Sequence, residues 1–476
     1  MSFGTATVNM QRPAPFRLRA DDAERLCAGR WYGQTREVTI RGAAIDSRKV
    51  APGCLFACLR GERADGHDFA EIAVGTGASL ILAERVLKVP VPVLVVRDVA
   101  TALAALASEF RSRVTGTIWI GVAGANGKTT TKELIAAACR AAGREPVLVT
   151  QGNLNNHLGV PLTVFSLPER ARFAVIELGS NHPGELPQLA AIAKPDIGCV
   201  VSIGPEHLEG FADLAGVTRE ECSLFTAQPA SAAAFLGTYS LATQAAHHGT
   251  NAEALLTIAR HAAAGRTLHV SGPADSTGDV LRTPAGEARL RLLGAHNHAN
   301  AWLAYQVAVA AGVPAAAALS GIASVKATPG RLRPLQAGPH LIIDDCYNAN
   351  PASMEAGLMV LAGYSGRRLA VLGHMGELGA ASKHGHELVG ATAASLGVAL
   401  IAVGPLAAPI LASYRNAGGT DGQTAADRTL ATTLATAWMR GGAATVLIKG
   451  SRSAHLESVV DALCVAHGLP APGGVH

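Results

Sequence analysis

The sequence predicts an α/β protein in which two parallel-sheet units follow a smaller N-terminal α/β segment. Three observations predict it. From Thr117 onward, short apolar runs of strand length alternate with helical stretches, the pattern of parallel strands joined by crossover helices. The alternation restarts near "TPGRLRP" (328–334). The chain of 476 residues is too long for one ordinary domain, and 49% hydrophobic residues are enough to fill more than one core.

Taken in order, residues 1–115 hold the short apolar runs "CLFACL", "ASLILA" and "VPVLVV" between turns. The last, bounded by Pro90 and Asp98, has the Val enrichment of a strand. Ala100 to Phe110 reads as a helix, with Leu103, Leu106 and Phe110 at helical spacing. In residues 116–327, "IWIGVA" is a buried strand, Lys132 to Ala142 a helix, and "PVLVT", "FAVIEL" and "IGCVVSI" further strands. Ala227 to Ala264 is Ala-rich and reads as mostly helix, followed by the weaker strands "TLHVSG" and "ARLRLLG". In residues 328–476, "HLIIDD", "RLAVLG", "ALIAVG" and "ATVLIKG" alternate with helical segments, as in a doubly wound sheet.

Composition excludes several classes. Lys and Arg (40) outnumber Asp and Glu (36) by a formal charge of only +4, spread without a basic tract, and aromatics are 4%. That is no surface for nucleic acid. The N-terminus carries Arg12, Arg17 and Arg19 but no apolar segment of signal length, and no run of about 18 apolar residues predicts a membrane span. Eight Cys without a Cys-x-x-Cys pair, Cys54 and Cys58 the closest, read as buried thiols of a reducing cytoplasm.

The chemistry starts at "GVAGANGKTTTKE" (121–133). A strict phosphate loop has Gly, four residues, then Gly-Lys-Ser/Thr, but Val122 stands at that first position. Gly121, Gly124, Asn126, Gly127, Lys128, Thr129 and Thr130 nevertheless lie between a buried strand and a helix. Backbone N–H groups at such a helix start cradle phosphate, Lys128 reaches the outer phosphates, and the Thr129 hydroxyl suits Mg²⁺. The plainer reading is a glycine-rich turn with an incidental lysine. "VIELGSNHPGEL" (175–186) puts Glu177 at a strand's carboxyl end, and "VVSIGPEHLEGF" (200–211) does the same with His207. That edge is where open parallel sheets bind ligands, and a carboxylate and an imidazole there can ligate Mg²⁺.

Other stretches are weaker signals. "QGNLNNHLGVP" (151–161), with Asn155 and Asn156, is a turn or a binding loop. "GAHNHANA" (294–301) opens a helix with Asn297 and Asn300 on one face, as purine contacts or as a cap. "PGRLRP" holds Arg331, "DDCYNANPASM" (344–354) holds Asp345, Tyr347 and Asn348, and "IKGSRS" (448–453) holds Lys449, Ser451 and Arg452. The last is a cationic, hydroxyl-bearing turn for a carboxylate or phosphate, or simply a solvated basic turn. "HGH" (384–386) has no metal-ligand spacing and reads as surface.

Together these motifs resemble the Mur ligase family, over about residues 38–465, including its shortened Gly-x-x-Gly-Lys-Thr loop. "DSRKVAPGCLFACLRGERADGHDF" (46–69), with Ser47 and Arg48, is similar to the family segment that receives a uridine nucleotide. The resemblance implies three domains: a UDP-substrate domain (1–115), a central ATPase domain (116–327) and a C-terminal Rossmann-like domain (328–476). It implies ATP and Mg²⁺, small-molecule carboxylate and amine substrates, a cytoplasmic monomer and an amide bond formed through an acyl phosphate. Addition of D-alanyl-D-alanine to a UDP-N-acetylmuramoyl-tripeptide is the default. Lys128, Glu177, His207 and Glu221 would be catalytic, with Thr129, Glu177 and His207 on Mg²⁺. Asn297, Asn300, Arg331 and Asp345 would lie about the nucleotide, and Asn155, Asn156, Tyr347, Asn348, Lys449, Ser451 and Arg452 about the substrates.

The departures concern acidic positions. Glu221 stands where the family usually carries a carbamylated, Mg²⁺-binding lysine, and Ser223 where it carries a Glu. His374 replaces a typical Asp, His157 a common acid, and "NAEA" (251–254) is what survives of Asn-Ala-Asp-Asp. These changes favour an alternative, a specialised paralogue forming an inter- or intramolecular amide, lactam closure included. The presence of Lys128, Glu177 and His207 argues against a silent nucleotide-binding homologue.

Overall fold

The computed structural model describes residues 14–33 and 36–473; Arg12 lies outside them. The central unit is a six-stranded, fully parallel sheet. Its spatial order is Thr267–Ser271, Ala233–Gly237, Ile197–Val200, Ile118–Ala123, Phe173–Glu177, Val147–Val149. Helices cover both faces, so its inner strands read as unbroken apolar runs. Along Ile118–Ala123, Ile120 and Val122 face one core and Trp119 and Ala123 the other, the two-residue period of a strand.

The C-terminal unit repeats the plan, in the order Arg333–Ala337, His340–Asp345, Ala444–Lys449, Arg367–Leu372, Ala399–Val403, Gly422–Ala425, with only the first strand antiparallel. The N-terminal unit has a five-stranded sheet of Arg30–Tyr32, Val93–Val95, Leu80–Ala83, Leu55–Ala57 and Ala43–Ala44, and a pair formed by Phe16–Arg19 and Glu37–Ile40. It docks on the central unit through Phe16, Phe110 and Phe165, whose ring centroids lie 5.4–6.1 Å apart. Arg111, on the helix Val99–Arg113, reaches the Ala193 and Lys194 carbonyls of the central unit. All eight cysteines are free thiols, seven of them buried.

Several expectations are corrected. The helix after the glycine loop begins at Lys128, four residues before the predicted start, and ends at Ala141. Gly127, at φ +82°, turns the chain directly into the helix, so the threonines form its first turn. Within the stretch read as mostly helical, Ala233–Gly237 is an interior strand. Its Ala-Phe-Leu run has no period of its own, and the neighbouring strands decide its state. Strands at sheet edges, such as Arg333–Ala337 and Gly422–Ala425, carry polar residues that hid them.

Candidate functional site

The strand Ile118–Ala123 lies between Phe173–Glu177 and Ile197–Val200. Strands that follow it in sequence lie on both sides of it, so its carboxyl end is the switch point where such sheets bind ligands. The glycine loop starts there. Gly124 has φ +124°, and a Cβ on it would sit 2.8 Å from the Val201 nitrogen. Asn126 is locked by Ser202, whose Oγ accepts from its N–H at 2.9 Å and donates to its carbonyl at 3.0 Å. No side chain caps the helix Lys128–Ala141, which leaves its first N–H groups directed at whatever occupies the loop.

Around the loop is a buried charge cluster. Lys128 Nζ donates to the Gly124 carbonyl and pairs with Glu206 Oε2 at 3.4 Å. Burial alone would lower the Lys128 pKa, but Glu206, Glu221 and Glu177 raise it above its ordinary value. Glu177 Oε1 accepts from Asn155 Nδ2 (2.9 Å) and Thr129 Oγ1 (3.3 Å), while its Oε2 has no hydrogen-bond donor. Glu221 Oε2 accepts from the Gly124 N–H. Burial, and then the neighbouring Glu206, push its pKa well above the carboxylate range. His207 Nδ1 is 2.8 Å from Glu377 Oε2 of the C-terminal unit.

Sequence reasoning missed two members. Glu206 precedes His207, and adjacency to a motif residue was its only signal. Lys132, 1% exposed, is one helical turn after Lys128, the spacing that could have marked it. Its Nζ donates to the Thr150 carbonyl (2.8 Å) and lies 3.6 Å from Glu177 Oε2.

The amide motifs divide. Asn156 Oδ1 accepts from the Leu158 and Gly159 N–H groups, so that side chain shapes its own turn. The helix Ala295–Ala310 has Gly294 as its N-cap residue, and Asn297 caps nothing; its Nδ2 donates to the Leu293 carbonyl. Asn300 Nδ2 donates to Asn297 Oδ1 at 3.2 Å, and a Cβ on Gly127 would meet it at 2.8 Å. This pair therefore borders the glycine loop. Beside it His296 is held down to about 4 by burial, which outweighs the pull of Asp345.

The C-terminal unit presents its own strand ends to the loop. Arg331 Nη2 donates to Thr129 Oγ1 (3.1 Å) with its guanidinium 4.1 Å from the Tyr347 ring centroid, and Asn350 Nδ2 donates to Asn126 Oδ1 (2.9 Å). Two buried carboxylates hold the Arg331 turn: Asp344 Oδ2 accepts from the Gly330 N–H and Asp345 Oδ1 from the Leu332 N–H. Lys449 is 3% exposed, bound to Asp345 Oδ2 (2.7 Å) and the Asn348 carbonyl (3.0 Å), so it braces this turn from within the sheet. Ser451 and Arg452 follow it, with Ser451 Oγ 3.0 Å from Ser453 Oγ and Ser453 Oγ 2.9 Å from His374 Nε2. "HGH" is only half surface. His386 is fully buried; its Nε2 accepts from the Met375 N–H and its Nδ1 donates to the Ser382 carbonyl, fixing the loop that carries His374 and Glu377.

In the N-terminal unit, Ser47 is buried and Arg48 is exposed, its guanidinium forked onto Asp46. His67 joins Asp65 (2.5 Å), which also takes Arg85 (2.8 Å). Much of the charge in this segment is thus spent within it.

Among the described residues no group of three or more His, Cys, Asp and Glu forms a metal cage. Open carboxylate oxygens on Glu177, Glu206 and Glu221 fit Mg²⁺ instead, which takes one or two protein carboxylates and completes its shell with phosphate oxygens and water.

The chain matches the Mur ligase middle domain over residues 122–308, the Mur ligase glutamate ligase domain over 330–452, and the Mur ligase family catalytic domain over 39–111. It is 37% identical over 439 residues, 90% of this chain and 95% of the relative, to UDP-N-acetylmuramoyl-tripeptide--D-alanyl-D-alanine ligase of Escherichia coli K12. The chain belongs to the Mur ligase family. Two solved Mur ligases resemble it across all three units. MurF from Acinetobacter baumannii has a TM-score of 0.82 at 30% identity, covering 95% of this chain and 99% of that one. MurF ligase from Thermotoga maritima, in complex with ADP, has 0.74 at 25% identity, covering 89% and 97%. This Mur ligase is accordingly an ATP-dependent, amide-bond-forming enzyme. No described helix is long and apolar enough to cross a membrane.

Proposed function

We propose that this ligase joins D-alanyl-D-alanine to UDP-N-acetylmuramoyl-tripeptide, with ATP cleaved to ADP and phosphate. The observation that carries this reading is likeness at full length to a relative bearing that name, 95% of which is covered. It favours this reaction over the specialised amide- or lactam-forming alternative. Residues 1–115 receive the uridine nucleotide around Ser47 and Arg48, residues 116–327 bind ATP, and residues 328–476 bring the amine.

The tripeptide's carboxylate attacks the terminal phosphorus of ATP to give an acyl phosphate and ADP. The dipeptide's amine then attacks the acyl carbon, and phosphate leaves with the C–O electron pair. Gly124, Asn126, Gly127 and the N–H groups of Lys128, Thr129 and Thr130 hold the phosphates, and the Lys128 ammonium stabilises charge on the transferred group. Thr129, Glu177 and His207 would hold Mg²⁺, which screens phosphate charge when bound. Asn297, Asn300, Arg331 and Asp345 border the rest of the nucleotide. Asn155 holds Glu177, Asn156 shapes the loop beside it, and Tyr347, Asn348, Lys449, Ser451 and Arg452 build the amine side. Free thiols suit the cytoplasm.

Phosphate release from ATP and Mg²⁺ tests this. Release that requires both UDP-N-acetylmuramoyl-tripeptide and D-alanyl-D-alanine, with the pentapeptide product seen by mass, is expected. No turnover with both substrates present, in folded protein that binds ATP, would reject it.

A further inference from the structure

Two loops meet at the carboxyl ends of the neighbouring parallel strands Arg367–Leu372 and Ala444–Lys449. The Gly373 N–H donates to the Lys449 carbonyl (2.8 Å) and the Ser451 N–H to the His374 carbonyl (2.9 Å), which laces the loops together. Their side chains form a line: Ser451 Oγ is 3.0 Å from Ser453 Oγ, and Ser453 Oγ is 2.9 Å from His374 Nε2. Ser451 is buried, His374 half-buried and Ser453 exposed, so the middle hydroxyl is the one a ligand can reach. Glu377, on the His374 loop, pairs with His207 and so turns this corner toward the central unit.

A serine hydroxyl has one proton to give and two lone pairs. With its proton on His374 Nε2 and one lone pair facing the Ser451 hydroxyl, Ser453 keeps one lone pair open. An attacking α-amine is an ammonium below about pH 8 and must shed a proton before its lone pair can bond to an acyl carbon. The other charged groups at this corner have partners already. Asp344 and Asp345 hold the Arg331 turn, Lys449 pairs with Asp345, and Arg452 and His455 face Glu457. His386 spends both ring nitrogens on the backbone. The turn at Gly404, where a Cβ would come 4.0 Å from His374 Nδ1, carries no titratable residue over 403–409.

We propose that Ser453 takes a proton from the bound ammonium of the amine substrate while its own proton passes to His374 Nε2. The N–H bond breaks, the freed lone pair forms the C–N bond, and the imidazolium later gives its proton to water. Ser453 is the contact, Ser451 orients it, and His374 is a positioning residue that holds the proton. Burial keeps the His374 pKa below its ordinary 6.5, so the ring is neutral at neutral pH and free to accept. This inference rests on the amide-ligase reading with a dipeptide amine.

The test is the pH dependence of kcat for phosphate release at saturating ATP, UDP-N-acetylmuramoyl-tripeptide and D-alanyl-D-alanine. In the unaltered protein kcat should hold at neutral pH and fall only below about 6.5, as the imidazole charges. In His374→Gln and in Ser453→Ala it should fall at least about tenfold near neutrality and recover toward about pH 8, where the amine loses its proton unaided. The double variant should be no worse than either single one, and His374→Asp, which keeps an acceptor, should lose less. No loss, or a loss equal at every pH, overturns the proposal, because a group that only shapes the loop leaves the profile in place. ADP binding by calorimetry identifies the variants that fold, and Ser453→Ala, at an exposed position, decides the matter if His374→Gln does not. If the unaltered protein does not ligate these substrates, the reading of the reaction falls and the proposal with it; ligation with an unshifted profile removes the proton relay alone.

Discussion

Lys132 shows how a site can depend on a residue buried behind it. Its ammonium is buried 3.6 Å from Glu177 Oε2, on the side away from Thr129 and Asn155. Removing it leaves a buried carboxylate short of a counter-charge, and supporting partners of metal ligands are worth about 10–100-fold in metal affinity. Lys132→Met should therefore raise the Mg²⁺ concentration for half-maximal turnover by about that factor, with Lys132→Arg recovering part of it. An unchanged Mg²⁺ titration for Lys132→Met would mean that the lysine only fills space. Residues of this kind were the least legible in the sequence. Lys128, Glu177 and His207 could be read from strand ends and a glycine loop. Lys132 and Glu206 have no motif of their own, and their roles arise from burial beside charges distant in sequence. Lys449 was legible only in part for the complementary reason: a lysine after an apolar run reads as a free cation, and the sheet shows it paired with Asp345.

At the scale of elements, buried strands were legible because parallel strands covered on both faces must be apolar throughout. Starts of helices were less so. The helix Pro351–Ala362 opens with a reciprocal cap, in which Asn350 Oδ1 accepts from the Ser353 N–H and Ser353 Oγ from the Asn350 N–H. The same Asn350 reaches Asn126 in the glycine loop, so one side chain sets a helix and touches the site. Asn350→Ala should lower unfolding free energy by about 1 kcal/mol and also weaken ATP binding. Asn350→Ser keeps a capping oxygen and should recover stability but not affinity. Chemical denaturation and nucleotide titration on the two variants separate the roles; equal affinity in both and in the unaltered protein would remove Asn350 from the site. Periodicity carried none of this, since a cap is one residue long and its second contact lies 224 positions away.

For the molecule as a whole, acid stability is set in part where the units meet. His296 is kept neutral by burial and titrates near 4, against an ordinary 6.5. Between these values the unfolded chain binds a proton that the folded chain refuses, so this contribution is full above pH 6.5 and is lost as pH falls toward 4. Melting temperature should drop over that window more steeply in the unaltered protein than in His296→Gln; parallel curves would assign the acid sensitivity to other groups. The three-part architecture itself was legible, because the alternation of strand and helix restarts with each unit. The contacts between units were not. They join residues distant in sequence, such as His207 and Glu377, and neither segment carries a signal that names its partner.

Those contacts bear on redesign. Arg331 with Thr129, Asn350 with Asn126, and Glu377 with His207 each match one C-terminal side chain to one residue at the nucleotide loop. A chimera that borrows residues 328–476 from another ligase to accept a different amine would inherit half of each pair. Three positions of the central unit, 126, 129 and 207, would have to travel with the graft.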